Sequence, residues 1–188
     1  FTDPDADAVI TSADNTKFRV HRYILAKASP VFEGMFSLPP VPSTLEGGQT
    51  VSGEEELPVI PLTEPGRIVE QLLKFCYPSL NGTVPDSQTL RQLFSAADKY
   101  EMTGVTMQLT AVLRTRFLEK EPNRAYALAC IYGLREEAKL AAKCTLNQPI
   151  PGPALSEYQE LSATMYHKLV VYRQKCIDLI HPLLDDWN

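Results

Sequence analysis

Short apolar runs on either side of a turn dipeptide open the chain. Ala8, Val9 and Ile10, then Phe18 and Val20, flank the dipeptide Asp14-Asn15, which predicts two short strands joined by a turn. From residue 22 the period lengthens. Ile24 and Leu25 fall in a short helix over 22–28. Ser29-Pro30 then reads as an N-cap followed by proline at the first position of a helix carrying Val31, Phe32, Met35 and Phe36. The pattern breaks over 39–58, where Pro39, Pro40, Pro42, Gly47, Gly48, Gly53 and the run Glu54-Glu55-Glu56 leave no apolar period. This stretch reads as a mobile surface excursion, longer than most internal loops. Val59-Ile60-Pro61-Leu62 is a third strand, and Pro61, which cannot donate to a ladder, places it at an edge or a bulge.

Helical spacing rules the remainder. Residues 65–77 put Ile68, Val69, Leu72, Leu73 and Cys76 on one face; 87–100 do so with Leu90, Leu93, Phe94 and Ala97; 103–118 with Val105, Leu109, Val112, Leu113 and Phe117. Residues 124–132 and 136–146 form a helix pair joined near Gly133, and a loop with Pro149, Pro151 and Pro153 follows. The last helix, 163–180, aligns Tyr166, Leu169, Val170, Cys176, Ile177 and Ile180, and Pro182 is expected to end or kink it. Three strands followed only by helices predict an α+β fold, with helices around a small sheet. Its apolar stripe, costly to leave in water at about 25 cal/mol per Å², predicts that the carboxy-terminal helices pack on the amino-terminal domain.

Composition narrows the classes. A chain of 188 residues is one domain, or one with an extension, and 44% hydrophobic with 22% charged residues is a globular balance. The net charge is −5, with 8 basic and 13 acidic side chains in residues 1–100 and ten of each thereafter. Direct nucleic-acid binding needs a basic surface that this balance does not provide. No apolar run approaches the ~18 residues of a membrane span. The chain opens on Phe1 rather than Met, so a preceding segment is expected to be removed or missing, and no signal peptide is visible. Cys76, Cys130, Cys144 and Cys176 form no Cys-x-x-Cys pair and lie among apolar neighbours. They read as buried free thiols in a reducing compartment, cytoplasmic or nuclear. Asn81-Gly82-Thr83 fits a glycosylation sequon or a turn; with that cysteine pattern the turn is the reading adopted.

Searches for chemistry return little. Of three histidines, His21, His167 and His181, none accompanies a Gly-x-Ser-x-Gly elbow. His21 lies between a strand and a helix and is expected to hydrogen-bond locally; a cryptic hydrolase-like or ligand-binding site around it is the alternative reading. Gly48 and Gly53 have the glycine spacing of a phosphate loop, but Glu54-Glu55 stand where Lys and Ser/Thr are required. Cys176 and His181 are five residues apart, on different helical faces, so no metal site or other cofactor is expected.

One constellation is specific. Phe18-Arg-Val-His21 leads into Leu25-Ala26 and then Ser29-Pro-Val-Phe32-Glu-Gly-Met35-Phe36, with Asp7-Ala-Val9-Ile10 ahead of it and Val59-Ile60-Pro61-Leu62, Phe75-Cys76-Tyr77 and Ala96-Ala97-Asp98-Lys99-Tyr100 behind. These motifs, in this order, resemble the BTB/POZ family over roughly residues 6–119. The continuation, with Tyr132-Gly133-Leu134 and Ala138 to Ala141, resembles the helical extension of fungal-type members. The resemblance implies a BTB/POZ domain over 1–119 with a long loop at 39–58, and a helical extension over 120–188 packed on it. It implies a non-enzymatic protein–protein interaction module, self-associating as a homodimer. Such a module serves as adaptor or scaffold for an unidentified protein in a ubiquitin-ligase or transcriptional complex. The strand exchange of family dimers is not expected with only about six residues before the first strand. A cullin scaffold is among the family's partners, yet the residues two before Glu46, Glu54, Glu55 and Glu56 are Thr44, Ser52, Gly53 and Glu54, none of them the apolar anchor of an apolar-x-Glu motif. The resemblance also places a charged pocket near the dimer surface, formed by Asp7 and Arg22 as a pair, with His21 and Tyr23 beside them.

Overall fold

The computed structural model describes residues 1–38, 57–149 and 154–185. The 39–58 excursion, with its glutamates, therefore lies outside the described residues except at its last two positions, as do residues 150–153. The chain divides into two compact units, Phe1–Gln108 and Leu109–Asn188.

In the first unit, β1 (Ala8–Thr11) and β2 (Lys17–Val20) form the expected hairpin, antiparallel with Ala8 opposite Val20 and Ile10 opposite Phe18. Asn15 takes the left-handed conformation at the turn, φ 60°, which Asn tolerates better than most residues. Asp14 does a second job there: its carboxylate accepts the Gly66 amide at 2.9 Å, at the start of α3 (Gly66–Cys76), which has no side-chain cap of its own. A hydrogen bond from the Ser12 hydroxyl, chief among several, holds that carboxyl below its ordinary range. β3 (Val59–Pro61) runs parallel to β1 in the order β2-β1-β3, so Pro61 sits on an edge strand.

α1 (Arg22–Ala28) and α2 (Pro30–Ser37) meet at Ser29, whose hydroxyl accepts the Phe32 amide at 3.0 Å. The same hydroxyl donates to the carbonyl of Tyr100, seventy-one residues away, at a site that is 1% exposed. α3 buries Ile68, Val69, Leu72 and Leu73; α4 (Ser87–Lys99), capped by Asp86 on the Thr89 amide, buries Leu90, Leu93, Phe94 and Ala97. α4 ends in a Schellman turn: the Met102 amide bonds the Ala97 carbonyl and the Glu101 amide that of Asp98, with Glu101 at φ 51° in the place glycine usually fills.

The Asn81-Gly82 turn forms elsewhere. The chain reverses at 77–80, where the Leu80 amide bonds the Tyr77 carbonyl at 3.0 Å, and Gly82 is not left-handed. Gly82 is needed for space instead, since a Cβ there would lie 2.5 Å from the Phe75 ring.

The helix expected over 103–118 is α-helical only through α5 (Thr103–Val112). It then widens into a π turn over Leu113–Phe117, closed by the Leu118 amide on the Leu113 carbonyl at 3.0 Å. A π turn adds one residue without changing the apolar pattern enough for spacing to reveal it. In the second unit, α6 (Pro122–Ile131) and α7 (Arg135–Cys144) form the expected pair through a second Schellman turn, with Gly133 at φ 69°. A 3₁₀ turn at Ser156–Gln159 puts Glu157 at 0% exposure, 2.9 Å from the Arg124 guanidinium. α8 (Ala163–Asp185) runs past Pro182 rather than ending there. The proline removes one amide from the ladder, and the helix spans that gap. Of the six residues expected on one apolar face of α8, Leu169 alone is buried; Val170, Ile177 and Ile180 are exposed. All four cysteines are free thiols, each half-buried rather than fully buried.

Ser29→Ala removes a helix cap and strands a buried carbonyl, and is expected to cost about 2–4 kcal/mol in urea denaturation; a cost within error of zero would show that water replaces both bonds. Glu64 provides a pH test. Burial raises its pKa, but hydrogen bonds from Lys99 and Tyr100 outweigh burial and hold it below the ordinary value. Its contribution to stability is therefore complete above the unfolded carboxyl pKa of about 4.3 and lost as pH falls through the lower folded value. Urea midpoints of the parent and Glu64→Gln should differ at neutral pH and converge in acid; curves that stay parallel throughout would remove Glu64 from the acid response.

Candidate functional site

The residues singled out by sequence gather where β2 hands over to α1. His21 is the hinge residue, extended at φ −95°, ψ 117°, and its side chain does not cap the helix it precedes. The open amide of Arg22 is taken by Asp7 from across the sheet: the Asp7 carboxylate accepts it at 2.7 Å. Asp7 and Arg22 are thus brought together, but through main chain. The guanidinium turns away, donating to the Phe36 carbonyl at 2.6 Å and lying 5.3 Å from the centre of the Phe36 ring. Arg22 therefore ties the start of α1 to the end of α2, closing the helical hairpin that Ser29 opens.

His21 makes a long-range contact in place of the local one expected. Its amide donates to the Tyr77 hydroxyl at 2.8 Å and its Nδ1 lies 3.2 Å from the same oxygen. Tyr77, just past the end of α3, was not singled out for this role by sequence; only its place in Phe75-Cys76-Tyr77 marked it. Phe1 packs edge-on against its ring at 5.3 Å, and the Phe1 carbonyl accepts the Arg19 amide, so the first residues run beside β2. Asp3 approaches His21 Nε2 at 3.7 Å. Tyr23 stands apart from this network: it is 72% exposed, with Lys27 5.7 Å from its ring centre.

Burial pushes the Tyr77 hydroxyl above its ordinary pKa, partly offset by the His21 amide, and pushes the Cys76 thiol up to about 12. Both shifts favour the protonated form. Among the described residues no three His, Cys, Asp or Glu side chains gather as metal ligands, and no helix is long and apolar enough to cross a membrane. The arrangement ties the start of α1 to the sheet, to Tyr77 and to α2, and leaves one side of that helix, with Tyr23, in solvent.

The geometry predicts an unusual mutational pattern. Asp7→Ala should cost about 1 kcal/mol as a lost cap, and Asp7→Asn, which keeps the acceptor oxygen, much less. Arg22→Gln should cost about 1–2 kcal/mol through the Phe36 carbonyl and ring. Exchanging the two charges should recover nothing, because no side-chain ion pair joins them. Recovery of stability by the exchanged double variant in urea titrations would mean that the guanidinium meets the carboxylate in solution.

No curated protein matches the chain. The family model described as BTB/POZ domain matches residues 3–116, more than half its length. That span takes in the three-stranded sheet and the helices from α1 through α5, as well as the His21–Arg22 junction with its Asp7 and Tyr77 partners. The chain belongs to the BTB/POZ family of protein-interaction domains.

Proposed function

We propose that this chain is a self-associating adaptor or scaffold, and that it pairs with a second copy through the α1 side of the first unit. The observation that carries the reading is Tyr23: a large ring, 72% exposed, on a helix whose first turn is held by Asp7 and whose Arg22 is locked against Phe36. Tyr is among the residues that dominate interface energetics, and a rigid backbone lowers the ordering cost of association. His21 and Asp3 border the same region and would tune it. A homodimer presents each outward-facing element twice, which suits assembly of a larger complex. A ubiquitin-ligase or transcriptional assembly is the setting the family supports. A cullin is the less favoured scaffold there, since Glu46, Glu54, Glu55 and Glu56 have no apolar residue two positions ahead of them in the sequence.

Light scattering coupled to size exclusion checks this. The parent chain is expected at twice its 21.0 kDa mass at micromolar concentration, and Tyr23→Glu at the monomer mass with unchanged circular dichroism. A parent that stays monomeric at high concentration, or a Tyr23→Glu variant that stays dimeric, would remove α1 from the interface.

A further inference from the structure

A groove of about 820 Å³ lies within the second unit, bounded by α6, α7 and α8. Its floor is mainly apolar, lined by Ala138 and Ala142 from α7, Met165, Leu169 and Tyr172 from α8, and Tyr126 from α6. The groove is braced: the buried Tyr126 hydroxyl of α6 donates to the Met165 carbonyl at 2.7 Å and fixes the start of α8. Its volume is at the upper end of the range of binding pockets, large enough for several apolar side chains.

Charge decides the occupant. Arg135, Lys139, Lys143 and Lys168 stand on the rim, against the single carboxylate of Glu136. That carboxylate already bonds Lys139 at 2.7 Å. Arg135, Lys143 and Lys168 are exposed and have no ion-pair partner among the described residues. A chain with net charge −5 thus presents a local positive rim around an apolar trough. We infer that this groove docks an acidic, amphipathic segment of a partner protein, its apolar side chains between α7 and α8 and its carboxylates on Arg135, Lys143 and Lys168. Alternating apolar anchors and charges at helical spacing is how such grooves are filled, and the rim supplies steering and register more than raw affinity. The inference is independent of self-association through Tyr23, which involves the other unit.

Random peptides displayed on phage and selected on the full 188-residue chain test it. The enriched peptides should combine Asp or Glu with Leu, Ile or Phe at helical spacing. Their affinity, measured by fluorescence anisotropy, should fall with salt. Reversal of two rim charges, Lys143→Glu with Lys168→Glu, should weaken binding roughly tenfold, and Ala138→Phe, which fills the trough, should do so without involving charge. Circular dichroism confirms folding, and the rim variant alters only exposed side chains. Enrichment of neutral or basic peptides, failure to enrich any, or equal binding by the rim variant would overturn the proposal. A change in oligomeric mass caused by the rim variant alone would also overturn it, by assigning the groove to a second copy of the chain.

Discussion

The first unit depends on one buried hydroxyl. Ser29 caps α2 through the Phe32 amide and reaches the Tyr100 carbonyl at the end of α4. Tyr100 then stacks on Phe32 with ring centres 5.0 Å apart and sends its own hydroxyl to Glu64, 2.6 Å away. Glu64 takes Lys99 at 2.8 Å, and its carbonyl receives the Ala13 amide just beyond β1. The helical hairpin, helix α4 and the sheet therefore meet through a few polar atoms, buried at Ser29 and reaching the surface at Glu64 and Lys99. Buried polar groups are costly when unpaired and modest in net gain when paired. This network consequently selects one arrangement of the elements more than it adds stability, while Leu25, Phe32, Leu90 and Leu93 supply the burial.

The fold was legible where local chemistry and period agree. Ser29-Pro30 named its own cap, Asp14-Asn15 its own turn and Pro61 its own edge, because those particular roles follow from the chemistry of the residue itself, even though Ser29 and Asp14 also make long-range bonds that the sequence did not show. Legibility failed where the cause is remote or the pattern is unchanged. Gly82 reads as a turn residue but is fixed by a ring seven residues earlier. The π turn at Leu113–Phe117 still sets its two apolar residues four apart, so spacing describes one continuous helix. Pro182 reads as a stop, yet α8 continues to Asp185. In the same helix, spacing gathers an apolar stripe correctly, but it cannot say whether anything covers that stripe.

The site shows the same division. Asp7, His21, Arg22 and Tyr23 could be picked out because they stand at a motif between two legible elements. Their bonding could not, because sequence shows side chains and this junction is built on main chain. Asp7 seeks an amide and Arg22 a carbonyl. Two opposite charges at motif positions suggest an ion pair, whereas the backbone at a helix start and a helix end offers each a fixed, complementary partner that needs no second flexible side chain. Tyr77 is the residue least visible beforehand, since its hydroxyl serves a His21 amide fifty-six positions away.

A common principle links these findings to function. The polar side chains that most resemble chemistry in the first unit are committed to satisfying backbone: Asp14 serves Gly66, Asp86 serves Thr89, Asp7 serves Arg22 and Ser29 serves both Phe32 and Tyr100. In the second unit, Glu157 and Glu137 are buried against Arg124 and Arg114, and Arg173 is turned onto the Gln148 carbonyl. Each of these bonds ties a side chain to the fold, so recruiting it elsewhere would remove a backbone partner or an ion pair. Two surface features stand outside these commitments: the exposed Tyr23 on α1, and a cationic rim around an apolar trough. The proposed self-association and docking rest on those two features, each carried on helices that the committed polar groups hold in place.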